Sequence, residues 1–87
     1  MQFIDTRKFR KNLAKLPNSV QLEILDALDT IDQADSFSGI PNLKSLKGNK
    51  NYYRIRVGDY RIGLFWNNDT FQVEDVGKRG DFYKHYP

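Results

Sequence analysis

Eighty-seven residues are enough for one domain and too few for two. A hydrophobic content of 39% excludes a disordered tail, and the absence of cysteine excludes disulfides and thiolate chemistry. Fourteen Lys and Arg against eleven Asp and Glu give a net charge of +3, too mild in itself to argue for a nucleic-acid partner, so the position of the charge matters more than its sum.

Residues 1–5 carry Phe3 and Ile4 and read as a short edge strand. They run straight into charged residues, which argues against a secretory signal, and no apolar stretch approaches membrane-spanning length. Asp5 or Thr6 can cap a helix, on which Phe9, Leu13 and Leu16 form an apolar stripe until Pro17 ends it. A second helix follows, capped by Asn18 or Ser19. Val20, Ile24, Ala27, Leu28, Ile31 and Ala34 make its buried face. Its outer face holds Gln21, Glu23, Asp26, Asp29 and Asp32. That face is either plain solvent exposure or charge separation, turned away from an anionic ligand. Residues 36–51 form a linker with Gly39, Pro41 and Gly48, pinned by Leu43 and Leu46 and made basic by Lys44, Lys47 and Lys50.

From Tyr52 the apolar period changes to two. Residues 52–57, 60–66 and 70–76 read as three antiparallel strands, joined by the two-residue turns Gly58-Asp59 and Asn68-Asp69. The first turn fixes a register in which Val57 pairs with Tyr60, Arg56 with Arg61, Ile55 with Ile62, Arg54 with Gly63 and Tyr53 with Leu64. Tyr53, Ile55, Val57, Tyr60, Ile62 and Leu64 then share a core face, while Arg54, Arg56 and Arg61 share the opposite one. Like charges directly across a strand pair cost up to about 1 kcal/mol. An anion offsets that cost, and the planar fork of arginine suits phosphate. Arg79 and Lys78 lie just past the last strand, within reach of the same place. Glu74 falls on the arginine face. Asp75 falls on the core face unless a bulge near the strand's end re-aims it. Residues 81–87 form a short helix or tail. If they fold back over the arginines, Tyr83 or Tyr86 can stack on a base and His85 can move a proton near neutral pH. One histidine, no cysteine and scattered carboxylates give no metal-ligand spacing, and no glycine-rich nucleotide loop is present. The reading is one α+β domain over residues 1–87: an antiparallel sheet packed on two N-terminal helices, in the order β-α-α-β-β-β with a short C-terminal helix or tail.

The segment Tyr53-Arg54-Ile55-Arg56-Val57-Gly58-Asp59-Tyr60-Arg61-Ile62-Gly63-Leu64 resembles the central hairpin of RelE/ParE superfamily toxins. Leu46-Lys47-Gly48 is similar to that family's lead-in, and Val76-Gly77-Lys78-Arg79-Gly80-Asp81-Phe82-Tyr83 to its C-terminal motif. The resemblance implies a RelE-like fold and the toxin of a type II toxin–antitoxin system. Such a toxin is a cytoplasmic endoribonuclease without metal or cofactor, cutting messenger RNA, often at the ribosome, by 2′-hydroxyl attack on the neighbouring phosphodiester. By motif position, Arg54, Arg56, Arg61, Arg79, Tyr83 and His85 are its catalytic set, and His85-Tyr86 resembles the ending of the YoeB branch. Lys47, Lys50, Lys78 and Tyr86 are candidate RNA contacts. Arginine stands at 54 and 56 where the RelE branch commonly has lysine, and arginine is a poor general base. His85, Glu74 or a tyrosine is then left as proton acceptor, with His85 favoured. The implied partners are a cognate antitoxin, in a hetero-oligomer that covers the arginine face, and messenger RNA. The alternatives are a ParE-like inhibitor of DNA gyrase, a non-catalytic RNA-binding module, or a degenerate toxin kept for its antitoxin.

Overall fold

The apolar period changes from helical to alternating along the chain, and the architecture changes with it. The computed structural model describes all 87 residues, Met1–Pro87. The elements are β1 (Gln2–Asp5), α1 (Arg7–Leu13), α2 (Asn18–Gln33), one turn of 3-10 helix (Phe37–Gly39), β2 (Leu43–Ser45), β3 (Tyr52–Val57), β4 (Tyr60–Asn67), β5 (Thr70–Lys78) and α3 (Arg79–His85). The five strands form one sheet in the order β1-β5-β4-β3-β2. All neighbours are antiparallel except β1 and β5, which pair in parallel from Gln2 with Thr70 to Asp5 with Val73.

Both turns have the backbone their residues allow. Gly58 has a φ of 57° as the first central residue of its hairpin, the glycine-first pattern of a type II′ turn. Asn68 and Asp69 are both left-handed, at 51° and 61°, as a type I′ turn requires. The β3–β4 register is the one the first turn dictates, residue for residue.

α2 lies across one face of the sheet. Ile24, Leu28 and Ile31 pack with Ile55, Ile62, Leu64, Phe71, Val73 and Val76, and Phe9 of α1 completes this core. Phe37 of the 3-10 turn stands edge-on to Trp66 and Tyr53, at ring separations of 4.9 and 5.2 Å, and closes one end of the core. At the N-terminus of α1 the Thr6 hydroxyl accepts from Phe9 N and donates to Val73 O at 2.9 Å, joining the helix cap to the sheet.

The helix ends depart from expectation in two places. α1 stops at Leu13 and then tightens, with Lys15 N donating to Asn12 O and Leu16 N to Leu13 O. Neither Asn18 nor Ser19 caps α2. Pro17 holds that position, its ring fixing φ at −56°, and its carbonyl accepts the first helical bond from Gln21 N. The linker also contains β2, which pairs with β3 through Leu43 and Ile55, Lys44 and Arg54, and Ser45 and Tyr53. No helix of the molecule is long and apolar enough to cross a membrane.

Candidate anion-binding site

The hairpin places Arg54 opposite Gly63 and Arg56 opposite Arg61, on the face away from Ile55 and Ile62. Arg61 is not exposed there. Its residue is 7% exposed because the guanidinium curls back toward the turn, where Nη1 donates to Gly58 O at 2.8 Å and to Tyr60 O at 3.0 Å. Its Nε is buried and has no hydrogen-bond partner. Leaving a buried donor unpaired costs about 1–3 kcal/mol, more when the group is charged. Such a group needs an explanation, and an anion is the simplest.

Arg79 opens α3, and its backbone N–H donates to Asp59 O at 2.8 Å, tying the helix start to the hairpin tip. Arg56, Arg61 and Arg79 share a cleft of about 690 Å³ under that tip, closed on the other side by Asp26 and Thr30 of α2 and by Asn42. The two ion pairs of the molecule, Lys8 with Asp75 and Arg10 with Asp5, involve none of these arginines. The cleft therefore holds three cations without a paired carboxylate. The acidic face of α2 is not wholly turned away, because α2 crosses the sheet so that Asp26 reaches the cleft rim.

The other candidates lie around this cleft. Arg54 is outside its wall, and Nη1 donates to Asn42 O at 2.7 Å. Lys47 and Lys50 are exposed on the turn before β3. Lys78 ends β5 opposite Tyr60 and lines a shallow recess with Arg79 and Asp59. Tyr83 is 46% exposed on α3, beside the buried ring of Phe82. His85 is six residues beyond Arg79, about 9 Å along the helix axis. It lines two smaller clefts with Lys8, one containing Glu74 and the other Asp75, and neither contains an arginine. The structure thus gathers Arg56, Arg61 and Arg79 and leaves His85 apart from them.

α3 does fold back over the arginine face. Tyr86 is buried against Gly63, where an added Cβ would lie 2.7 Å from its ring. Its hydroxyl donates to Glu74 Oε1 at 2.9 Å. Burial, and next the bond to the Glu74 carboxylate, push this phenol far above the ordinary tyrosine range, so it remains a donor. The bulge also exists. Gly63 pairs with Asp75 and Leu64 with Val73, which leaves Glu74 unpaired and brings Asp75 onto the arginine face. Asp75 is buried there, accepting from Asn12 Nδ2 at 2.7 Å and from Val76 N at 2.8 Å, with Lys8 Nζ at 3.4 Å.

Lys8, Asn12 and Asp59 are the residues that sequence reasoning passed over, and Asp26 it read only as part of the outer face of α2. Lys8, Asn12 and Asp26 sit on helices whose approach to the sheet edge no local pattern encodes. Gly63 did carry a signal, since a glycine inside a strand marks a close approach. No group of three or more His, Asp or Glu side chains is gathered in a way that would hold a metal.

No protein-family model matches the chain. It is 33% identical over 88 residues to the toxin RelE3 of Methanocaldococcus jannaschii, covering all of both chains. Among solved structures it superposes on the RelB–RelE antitoxin–toxin complex from Methanococcus jannaschii with a TM-score of 0.79, 32% identity and full coverage of both chains. The archaeal RelE–RelB complex from Pyrococcus horikoshii OT3 shares the fold at a TM-score of 0.71 and 22% identity, over 91% of this chain and 94% of that one. The intact E. coli RelBE toxin–antitoxin complex does so at 0.70 and 20%, over 88% and 94%.

Proposed function

This chain belongs to the RelE family of toxins, and from that premise we propose that it is a metal-independent endoribonuclease that cleaves messenger RNA in the cytoplasm, at the ribosome, under the control of a cognate antitoxin. The observation that carries the reading is the buried, unpartnered Nε of Arg61 among arginines that form no ion pair, although Asp26 and Asp59 border the same cleft.

In this reading the 2′-oxygen of one ribose attacks the adjacent phosphorus and the bond from phosphorus to the 5′-oxygen breaks. The 2′-hydroxyl gives up its proton and the 5′-oxygen takes one, leaving a 2′,3′-cyclic phosphate and a 5′-hydroxyl. Arg61 and Arg79 bind the non-bridging oxygens, where negative charge grows in the transition state. The bonds from Arg61 Nη1 to two backbone carbonyls hold that guanidinium in advance, and the backbone bond at Arg79 fixes where its side chain begins. Arg56 and Arg54 take flanking phosphates, Lys47, Lys50 and Lys78 extend the basic track, and Tyr83 offers an exposed ring for stacking. Proton transfer by His85 to a phosphate held at Arg79 requires α3 to tilt on binding. Without that tilt, orientation and electrostatic stabilisation carry the rate. The antitoxin acts by covering the arginine face with an acidic or apolar segment, and the two form a hetero-oligomer.

Primer extension on messenger RNA after brief induction tests this. Arg79→Ala is the comparison, because Arg79 is exposed and its loss does not disturb the core. New ends inside translated codons with the native chain, absent with Arg79→Ala, support the assignment. Growth arrest without cleavage replaces it with gyrase inhibition, and neither effect replaces it with RNA binding alone or a degenerate toxin.

A further inference from the structure

Glu74 is the extra residue of the β4–β5 bulge, and its carboxylate is held by an unusually specific arrangement. Tyr86 donates to Oε1 at 2.9 Å, while Oε2 has no protein partner. Tyr86 can reach this position only because residue 63 is a glycine. Beside the carboxylate opens a cleft of about 350 Å³ whose walls include Lys8, Tyr52, His85 and Tyr86. It shares no residue with the arginine cleft. Tyr52 is half-buried, its ring 4.7 Å from Phe65 and 5.8 Å from Tyr86, which makes an aromatic wall. The Lys8 side chain is 60% exposed at the cleft mouth, with its ammonium 3.4 Å from Asp75.

An aromatic wall, one pre-aimed carboxylate and a cation at the mouth are the parts of a nucleotide site. A base stacks on the ring whatever its identity, the lysine takes a phosphate, and the carboxylate discriminates among base edges. A carboxylate only accepts, so it favours a base edge that only donates. Guanine offers N1–H and N2–H side by side. Adenine and cytosine each offer one amino group. Uracil flanks its single N–H with two carbonyl oxygens, which the carboxylate repels.

We propose that this cleft is a second nucleotide subsite, which selects a guanine of the bound RNA strand through Glu74. The proposal rests on the RNA-cleavage reading for the identity of the strand, but its test does not. Guanosine and uridine 5′-monophosphates are titrated into the isotopically labelled chain and followed by backbone amide shifts. The guanosine nucleotide should move the amides of Lys8, Glu74 and His85, with an affinity at least about tenfold above that of uridine. Glu74→Gln should bring the two nucleotides to parity. Lys8→Ala, at an exposed position, should weaken both alike. Equal response to the two nucleotides, or shifts confined to Arg56, Arg61 and Arg79, overturns the subsite. Cleavage mapping keeps the two readings apart. Cuts whose base preference is the same in the native chain and in Glu74→Gln overturn the subsite and keep the nuclease. Guanosine-selective shifts in a protein that does not cut keep the subsite and overturn the nuclease.

Discussion

Arg61 and Tyr86 occupy the same face of the sheet and have opposite relations to what surrounds them. Arg61 is buried with a donor unsatisfied, whereas Tyr86 is buried with its hydroxyl satisfied by Glu74. The face on which Arg61 lies follows from the turn at Gly58 and from alternation, and so was legible in the sequence, whereas that of Tyr86, beyond α3, followed only if the C-terminal segment folds back. The burial of Arg61 was not, because it depends on a side-chain path back to carbonyls of the same turn. The seating of Tyr86 makes two predictions. Gly63→Ala forces a Cβ against the ring and should cost about 1–3 kcal/mol, read from the urea midpoint. The second concerns pH. The folded state holds the Tyr86 phenol protonated to far higher pH than the unfolded chain does. Its contribution to stability is therefore complete below the unfolded pKa, near 10, and declines above it, by at most about 1.4 kcal/mol per pH unit. Denaturation midpoints measured up to alkaline pH should show this decline, and Tyr86→Phe should show a shallower one.

Among the elements, the strands and helices with a long apolar period were predictable, and so was the short β1 from Phe3 and Ile4, whereas β2 was not. β2 has only Leu-Lys-Ser and becomes a strand because β3 offers it a free edge. The parity of Asp75 calls for a bulge near the end of the strand, since an acidic side chain on the core face demands a reason, and the structure has it at Glu74. Its position is also set from outside β5. β1 pairs with β5 only as far as Val73, and there the chain turns through Thr6 into α1. Thr6→Ala removes the cap at Phe9 and the bond to Val73, and should cost about 1–2 kcal/mol in thermal or urea denaturation. Thr6→Ser, which keeps the hydroxyl, should recover most of it.

For the molecule as a whole, composition understated the charge asymmetry. A net charge of +3 hides three unpaired arginines in one cleft and an α2 that bears only acidic charges. The sequence located the arginines, yet it did not show that Asp26 borders them or that α3 sets Arg79 and His85 at opposite ends. Both depend on how helices cross the sheet. In the proposed reading the three cleft arginines contribute about −2 to the slope of log affinity against log salt for a non-cleavable single-stranded RNA, and Arg79→Ala should reduce the slope by about 0.7, measured by fluorescence anisotropy. The parallel pairing of β1 with β5 adds a constraint in time. The first strand to leave the ribosome waits for the last, because its only partner in the sheet begins at Thr70. The hairpin tip is also incomplete until Arg79 has been added. Nascent chains therefore have no assembled arginine cleft until synthesis of the sheet is finished.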